Sequence, residues 1–151
     1  MSQSLSKLYI HATFHIKYTS VPIRKQDAAA LYAYMGQVLK SMSCPPIQIG
    51  GVDDHVHILC LMSKNISLAK MMEDVKRHSS RWIKTIDKYY ESFAWQGGYG
   101  AFSVSQSVVE RTRNYIANQE RHHNTRSFRE EYLAFLKEYG VDYDEAYLFT
   151  D

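Results

Sequence analysis

The sequence predicts an α+β domain built around a four-stranded antiparallel sheet in the order β-α-β-β-α-β, with helices on one face and further helices at the C-terminal end. Three observations predict it. Short β-branched and aromatic runs alternate with two long stretches of helical spacing, a Gly/Asp turn joins two apolar runs near the middle, and two more helical patterns close the chain. At 151 residues the chain has the length of one domain, so residues 1–151 are expected to form a single unit.

Residues 7–18, KLYIHATFHIKY, are β-branched and aromatic with partial alternation, which predicts the first strand. Residues 26–42 place Ala28, Leu31, Met35, Val38 and Met42 at helical spacing. Cys44-Pro45-Pro46 cannot continue that helix, because proline lacks the N–H and its ring obstructs the preceding turn. The apolar run Ile47 to Gly51 and the run HVHILCLM at 55–62 flank Asp53 and Asp54, which predicts two adjacent strands joined by a tight turn. Ser67 can cap a helix running to about Tyr90, with Leu68, Met72, Val75, Ser79, Trp82 and Ile86 on one face. YGAFSVS at 99–105 alternates as a strand should, with Phe102 and Val104 on one side. Ser107 and Glu110 have capping-box spacing at the start of a helix expected to reach about His122. A last helix, about 129 to 138, stops at Gly140 and leaves the tail VDYDEAYLFTD. This order is the ferredoxin-like or RRM-like arrangement.

Composition narrows the class. Hydrophobic residues at 45% and charged residues at 23% are the balance of a globular domain, and no segment is long and apolar enough to cross a bilayer. The start, Met-Ser-Gln-Ser-Leu-Ser-Lys, lacks the pattern of a secretory signal, so a cytoplasmic protein with no membrane partner is expected. Cys44 and Cys60, without CxxC spacing, make neither a disulfide framework nor a thiolate metal site and are expected to be reduced core residues. A formal charge of +2 does not announce a nucleic-acid partner, so any such reading rests on where the basic residues cluster.

His55-Val56-His57 is the sharpest local signal. Residues i and i+2 of a strand share a face, so both imidazoles can reach one divalent ion, though such a pair also occurs as plain polar residues on a solvated face. Tyr115 and Gln119 stand at i and i+4 of a helix and bring a phenol and a carboxamide together; Tyr115 alone also reads as a packing residue near Val108, Thr112 and Ile116. A phenol with a pKa of about 10 is a poor nucleophile and a phosphodiester a poor electrophile, and a bound cation improves both. Imidazole favours Mn²⁺, while Mg²⁺ with retained waters also fits. Asp53 and Asp54 are candidates to support the histidines, to contact the metal or simply to make the turn, and His122 and His123 suit a helix end without any ligand role. Arg77, Arg81, Lys84 and Lys88 fall at i, i+4, i+7 and i+11 opposite the apolar stripe, with Lys70, Lys76 and His78 near its edges, a ridge able to neutralise phosphates or to remain a solvated face. Phe93, Trp95 and Tyr99 around Gly97-Gly98 can stack on unpaired bases or fill the core.

Taken together, KLYIHATFHIKYT, GGVDDHVHILCLM, VKRHSSRWIK, FAWQGGYGAFSVS and RNYIANQERHH resemble, in order and spacing, the single-tyrosine HUH transposases of small bacterial insertion sequences and their palindrome-associated relatives. The resemblance implies that His55, His57 and Gln119 hold Mg²⁺ or Mn²⁺ and that Tyr115 is the nucleophile, with no ATP or other cofactor. It implies a homodimer in which the tyrosine helix of one subunit can complete the other's site, binding to single-stranded DNA hairpins at element ends, and cleavage and rejoining through a 5′-phosphotyrosine. Lys76, Arg77, Arg81 and Lys84 are the expected DNA contacts, the first three resembling the family's hairpin-contacting region in type and location. Two other readings compete: a metal-dependent nuclease or phosphodiesterase that activates water, with Tyr115 structural, and a non-catalytic hairpin-binding module.

Overall fold

Two sets of side chains alternate along β1 (Tyr9–His15), and each faces a different helical layer. The computed structural model describes residues 2–123 and 126–150, apart from the side chain of His122. After β1 come α1 (Lys25–Ser41), β2 (Pro46–Gly51), β3 (His55–Leu61), α2 (Leu68–Ile86), β4 (Gly100–Val104), α3 (Val109–Ala117), α4 (Gln119–His122), α5 (Phe128–Glu138) and α6 (Glu145–Leu148). The sheet runs β2-β3-β1-β4 and every neighbouring pair is antiparallel. This is the arrangement expected from the sequence.

Ala12, Phe14, Val56, Ile58 and Cys60 point to one side, where Leu31, Met35 and Leu39 of α1 and Met71, Met72, Val75 and Ile83 of α2 cover them. Burial of each larger side chain contributes about 1.5–3 kcal/mol. Ser79 sits in this apolar stripe because its Oγ accepts the indole N–H of Trp95 at 3.0 Å. The other side carries His11, Thr13, His15, His55 and His57, then Leu59, Phe102 and Val104, which pack against Ile116 of α3 and Phe128, Tyr132 and Leu136 of α5. The C-terminal helices thus form a second layer, so the sheet is covered on both faces.

Several boundaries differ from expectation, the first being β1, which spans Tyr9–His15 rather than residues 7–18. Helix α2 stops at Ile86, since Asp87 is extended and its carboxylate accepts the N–H of Tyr89 at 2.7 Å, opening a short 3₁₀ turn instead. The capping box expected at Ser107 is absent: its Oγ pairs with that of Ser105 at 3.0 Å, and a 3₁₀ turn over Gln106–Val108 leads into α3. Ser127 caps α5 instead, accepting from the Glu130 N–H at 3.2 Å. The tyrosine helix also breaks at Asn118, whose side-chain amide donates to the Asn114 carbonyl at 2.7 Å and competes for that helical acceptor. Gly50 lets α3 lie close on β2, because a Cβ there would stand 2.5 Å from the Ile116 carbonyl oxygen. Cys44 and Cys60 are free and buried, as expected.

Candidate active site

Strand parity puts His55 and His57 on the sheet face beneath α5, and each imidazole is held by its Nδ1. Asp54 Oδ1 lies 2.7 Å from His55 Nδ1, and His11 Nε2 lies 2.8 Å from His57 Nδ1. The two Nε2 atoms are left to meet the opposing helices. His55 Nε2 is 3.1 Å from Gln119 Oε1 and 3.4 Å from Glu131 Oε1, while His57 Nε2 is 2.7 Å from that same Glu131 oxygen. His123 Nε2 reaches Glu131 Oε2 at 3.1 Å. One ligand atom from each of His55, His57, His123 and Glu131 lies within 4.8 Å of all the others.

This donor set fits a divalent cation. Neighbouring ligands about 2.1 Å from one ion stand about 3 Å apart, which is the scale of the spacings between His55, His57, Gln119 and Glu131. Both imidazoles have their other nitrogen occupied, the support that fixes ring orientation in metal-binding histidines. Three imidazoles, an amide oxygen and a carboxylate suit Mn²⁺, and the oxygens also suit Mg²⁺.

The electrostatics are those of a buried charge cluster. Burial alone would raise the Glu131 pKa, but hydrogen bonds from His123, His55 and His57 hold the carboxyl well below the usual carboxylate range. Burial likewise opposes ionisation of Asp54, and the bonds from His15 and His55 outweigh it and push its pKa down. Burial works against a charged His55, yet Asp54 and then Glu131 lift its pKa to about 9. His57 goes the other way, because complete burial lowers its pKa despite Glu131.

Tyr115 stands at the rim of this cluster. Its hydroxyl donates to Glu131 Oε2, and its ring lies edge-on to His57 with centroids 6.0 Å apart. Burial and then the Glu131 carboxylate push the phenol pKa above its ordinary value. A cleft beside the ring is lined by His11, Arg111, Thr112, Arg126 and Phe135.

The sequence-derived residues His55, His57, Tyr115 and Gln119 therefore converge, and Asp54 joins them as a partner of His55. Asp53 does not, its carbonyl accepting the Ile23 N–H at 2.8 Å in the turn. Phe93 and Trp95 are buried in the core, and Tyr99 remains exposed. The basic ridge lies elsewhere, on α2 across the sheet. Arg77, Arg81 and Lys84 are exposed there; Arg77 pairs with Glu73 at 3.2 Å and Asp74 at 3.0 Å, and Lys84 donates to Ser80 at 3.2 Å. Lys76 is half-buried and ties α2 to the glycine loop, donating to the carbonyls of Gln96 at 2.6 Å and Gly98 at 2.9 Å. Sequence reasoning missed Glu131 and His11 and gave His123 only a helix-end role. The side chain of His122 lies outside the described residues.

The sequence model described as "Transposase IS200 like" matches residues 4–119, most of the chain, from before β1 to Gln119 beside the histidine cluster. The chain belongs to the IS200-like transposase family. Solved structures agree in fold. A Deinococcus radiodurans R1 protein assigned as a transposase is 18% identical, with 79% of this chain and 98% of that chain covered and a TM-score of 0.61. A REP-associated tyrosine transposase bound to a REP hairpin is 10% identical, with 82% of this chain and 74% of that chain covered and a TM-score of 0.59. No curated protein matches the sequence significantly. The family match ends before His123 and Glu131, so these two members of the cluster lie beyond it.

Proposed function

We propose that this family member is a metal-dependent DNA strand transferase that binds single-stranded DNA hairpins and cuts and rejoins single strands through Tyr115. The observation that carries the reading is the convergence of the Tyr115 phenol with His55, His57 and Gln119 around one small volume. In the cleavage step the Tyr115 oxygen attacks the scissile phosphorus. The Oη–P bond forms, the bond from phosphorus to the 3′ oxygen breaks, the phenol proton is lost to the medium and the departing oxygen gains one. The products are a 5′-phosphotyrosine and a free 3′ hydroxyl, and attack by such a hydroxyl on the phosphotyrosine restores Tyr115 in the joining step.

His55, His57 and Gln119 would hold Mg²⁺ or Mn²⁺, which offsets charge on the phosphate oxygens when bound. Asp54 and His11 keep the two imidazoles turned towards that position. Arg77, Arg81 and Lys84 supply positive charge for the hairpin backbone, and Lys76 shapes the adjoining glycine loop. Hairpin binding by the REP-associated relative supports this choice of partner. The homodimer is part of the same proposal. Within one chain the Tyr115 ring stands 6.0 Å from that of His57, which supports cutting within one subunit without exchange of helices.

The test is cleavage of a hairpin-bearing oligonucleotide labelled in turn at each end, with Mn²⁺ or Mg²⁺. The proposal expects the strand 5′ of the cut to appear free with a 3′ hydroxyl and the strand 3′ of it to migrate with denatured protein. Two free fragments would favour water-activating nuclease chemistry instead.

A further inference from the structure

We infer that Glu131 is itself a ligand of the divalent ion, so that metal binding fastens α5 across the histidine face of the sheet. The inference rests on the metal site proposed above and extends it beyond the segment shared with the family, which ends at residue 119.

Glu131 is 1% exposed. A carboxylate so deeply buried needs compensating charge and hydrogen bonds, and the groups facing it are His55, His57, His123, Gln119 and Tyr115. Its two oxygens are used differently. Oε2 receives the Tyr115 hydroxyl, the Gln119 Nε2 at 3.3 Å and the His123 Nε2 at 3.1 Å. Among the described residues, Oε1 faces the Nε2 atoms of His57, at 2.7 Å, and His55, at 3.4 Å. Those two nitrogens must be free of protons to bind a metal. Once an ion takes their lone pairs, Oε1 is the carboxylate oxygen aimed at it, at the spacing of neighbouring ligands. A hard anionic oxygen also completes a set of two imidazoles and an amide in a way that favours Mn²⁺ and Mg²⁺.

Helix geometry makes this a fastening. Phe128, Glu131, Tyr132 and Phe135 recur at i, i+3, i+4 and i+7 on one face of α5, and Phe128, Tyr132 and Leu136 pack with Phe102 of β4. The apolar contacts hold α5 at β4, and Phe128 and Phe135 also lay their rings against His55 and His57 with centroids 4.6 and 6.3 Å apart; Glu131 is the acidic residue of α5 that reaches β3, 74 residues back in sequence. An ion bound between Glu131 and the histidines joins α5 to the centre of the sheet.

The test measures Mn²⁺ binding by titration calorimetry in the full chain, as wild type, Glu131→Gln, Glu131→Ala and His55→Ala, with amide hydrogen exchange across residues 128–138. Expected are an affinity loss of about tenfold or more in both Glu131 variants and Mn²⁺-dependent slowing of α5 exchange in the wild type, absent in Glu131→Gln. The nearly isosteric Gln variant guards against misfolding, and the wild-type exchange measurement needs no variant. Mn²⁺ affinity within about twofold of wild type in both Glu131 variants, or wild-type α5 exchange indifferent to Mn²⁺, overturns the inference. If His55→Ala then abolishes binding, the metal reading of the histidines survives. If His55→Ala also binds as wild type, that reading falls as well.

Discussion

Tyr115 donates its hydroxyl to Glu131, 16 residues further along the chain, and the same carboxylate meets His57 Nε2 at 2.7 Å. The proposed nucleophile and a proposed metal ligand are thus linked through one buried side chain. Removing the phenol oxygen takes one donor from Glu131 and leaves those of His57, His55, His123 and Gln119. Tyr115→Phe is expected to fold normally and lose about 1.5–3 kcal/mol in denaturant unfolding, the scale of a hydrogen bond to a charged group. A loss several times larger would mean that Tyr115 is mainly a structural residue.

Asp54 is expected to matter through His55. Its Oδ1 holds His55 Nδ1 at 2.7 Å and its Oδ2 lies 3.4 Å from His15 Nε2, so Asp54→Ala frees the His55 ring to turn. Loss of such a supporting carboxylate lowers metal affinity by about 10- to 100-fold. Calorimetric titration with Mn²⁺ checks this, and an unchanged dissociation constant counts against His55 as a ligand.

These features were unequally legible in the sequence. The strand pair His55 and His57 and the helical pair Tyr115 and Gln119 follow from local periodicity, and tertiary structure then brings the pairs together. Glu131 could not be read that way. Beside Glu130 in the first turn of α5 it looks like an acid suited to a helix N-terminus, and only the docking of Phe128 and Tyr132 turns it inward. His123 does stand at a helix end, as the C-cap of α4, but its reach to Glu131 was not legible. The break at Asn118, where a side-chain amide competes for the Asn114 carbonyl, is a local contest that apolar spacing does not report. The ridge of Arg77, Arg81 and Lys84 was legible as an exposed face, but which side of the sheet would carry it was a matter of topology.

At Gly50, β2 lies close against the tyrosine helix. A Cβ there would stand 2.5 Å from the Ile116 carbonyl oxygen and 3.2 Å from its Cγ2, both next to Tyr115 in sequence. Gly50→Ala is expected to push α3 outward, destabilise the fold by about 1–3 kcal/mol and reduce cleavage at saturating metal. Thermal melts with parallel cleavage assays test this, and an unchanged melting temperature would show that α3 shifts without cost.

Burial raises the Cys60 thiol from its ordinary 9.0 to about 12. Below pH 9 both folded and unfolded chains keep this proton and Cys60 adds no pH dependence; between 9.0 and about 12 only the unfolded chain releases it. Stability therefore falls as pH rises through that window, at up to about 1.4 kcal/mol per pH unit from this group. Cys60→Ala is expected to be less stable at pH 8 through lost packing, yet to decline less steeply above pH 9 in alkaline unfolding curves. Parallel declines in the two proteins would contradict the burial of this thiol.

The central claim is that Tyr115 becomes covalently joined to DNA. Intact-protein and peptide mass spectrometry after incubation with Mn²⁺ or Mg²⁺ and hairpin-bearing single-stranded oligonucleotides, best taken from the DNA flanking its own gene, tests it most directly. The account predicts a nucleotide adduct on the peptide containing Tyr115, absent in Tyr115→Phe and absent with chelator. Cleavage that persists in Tyr115→Phe with no adduct on the wild-type protein would contradict it.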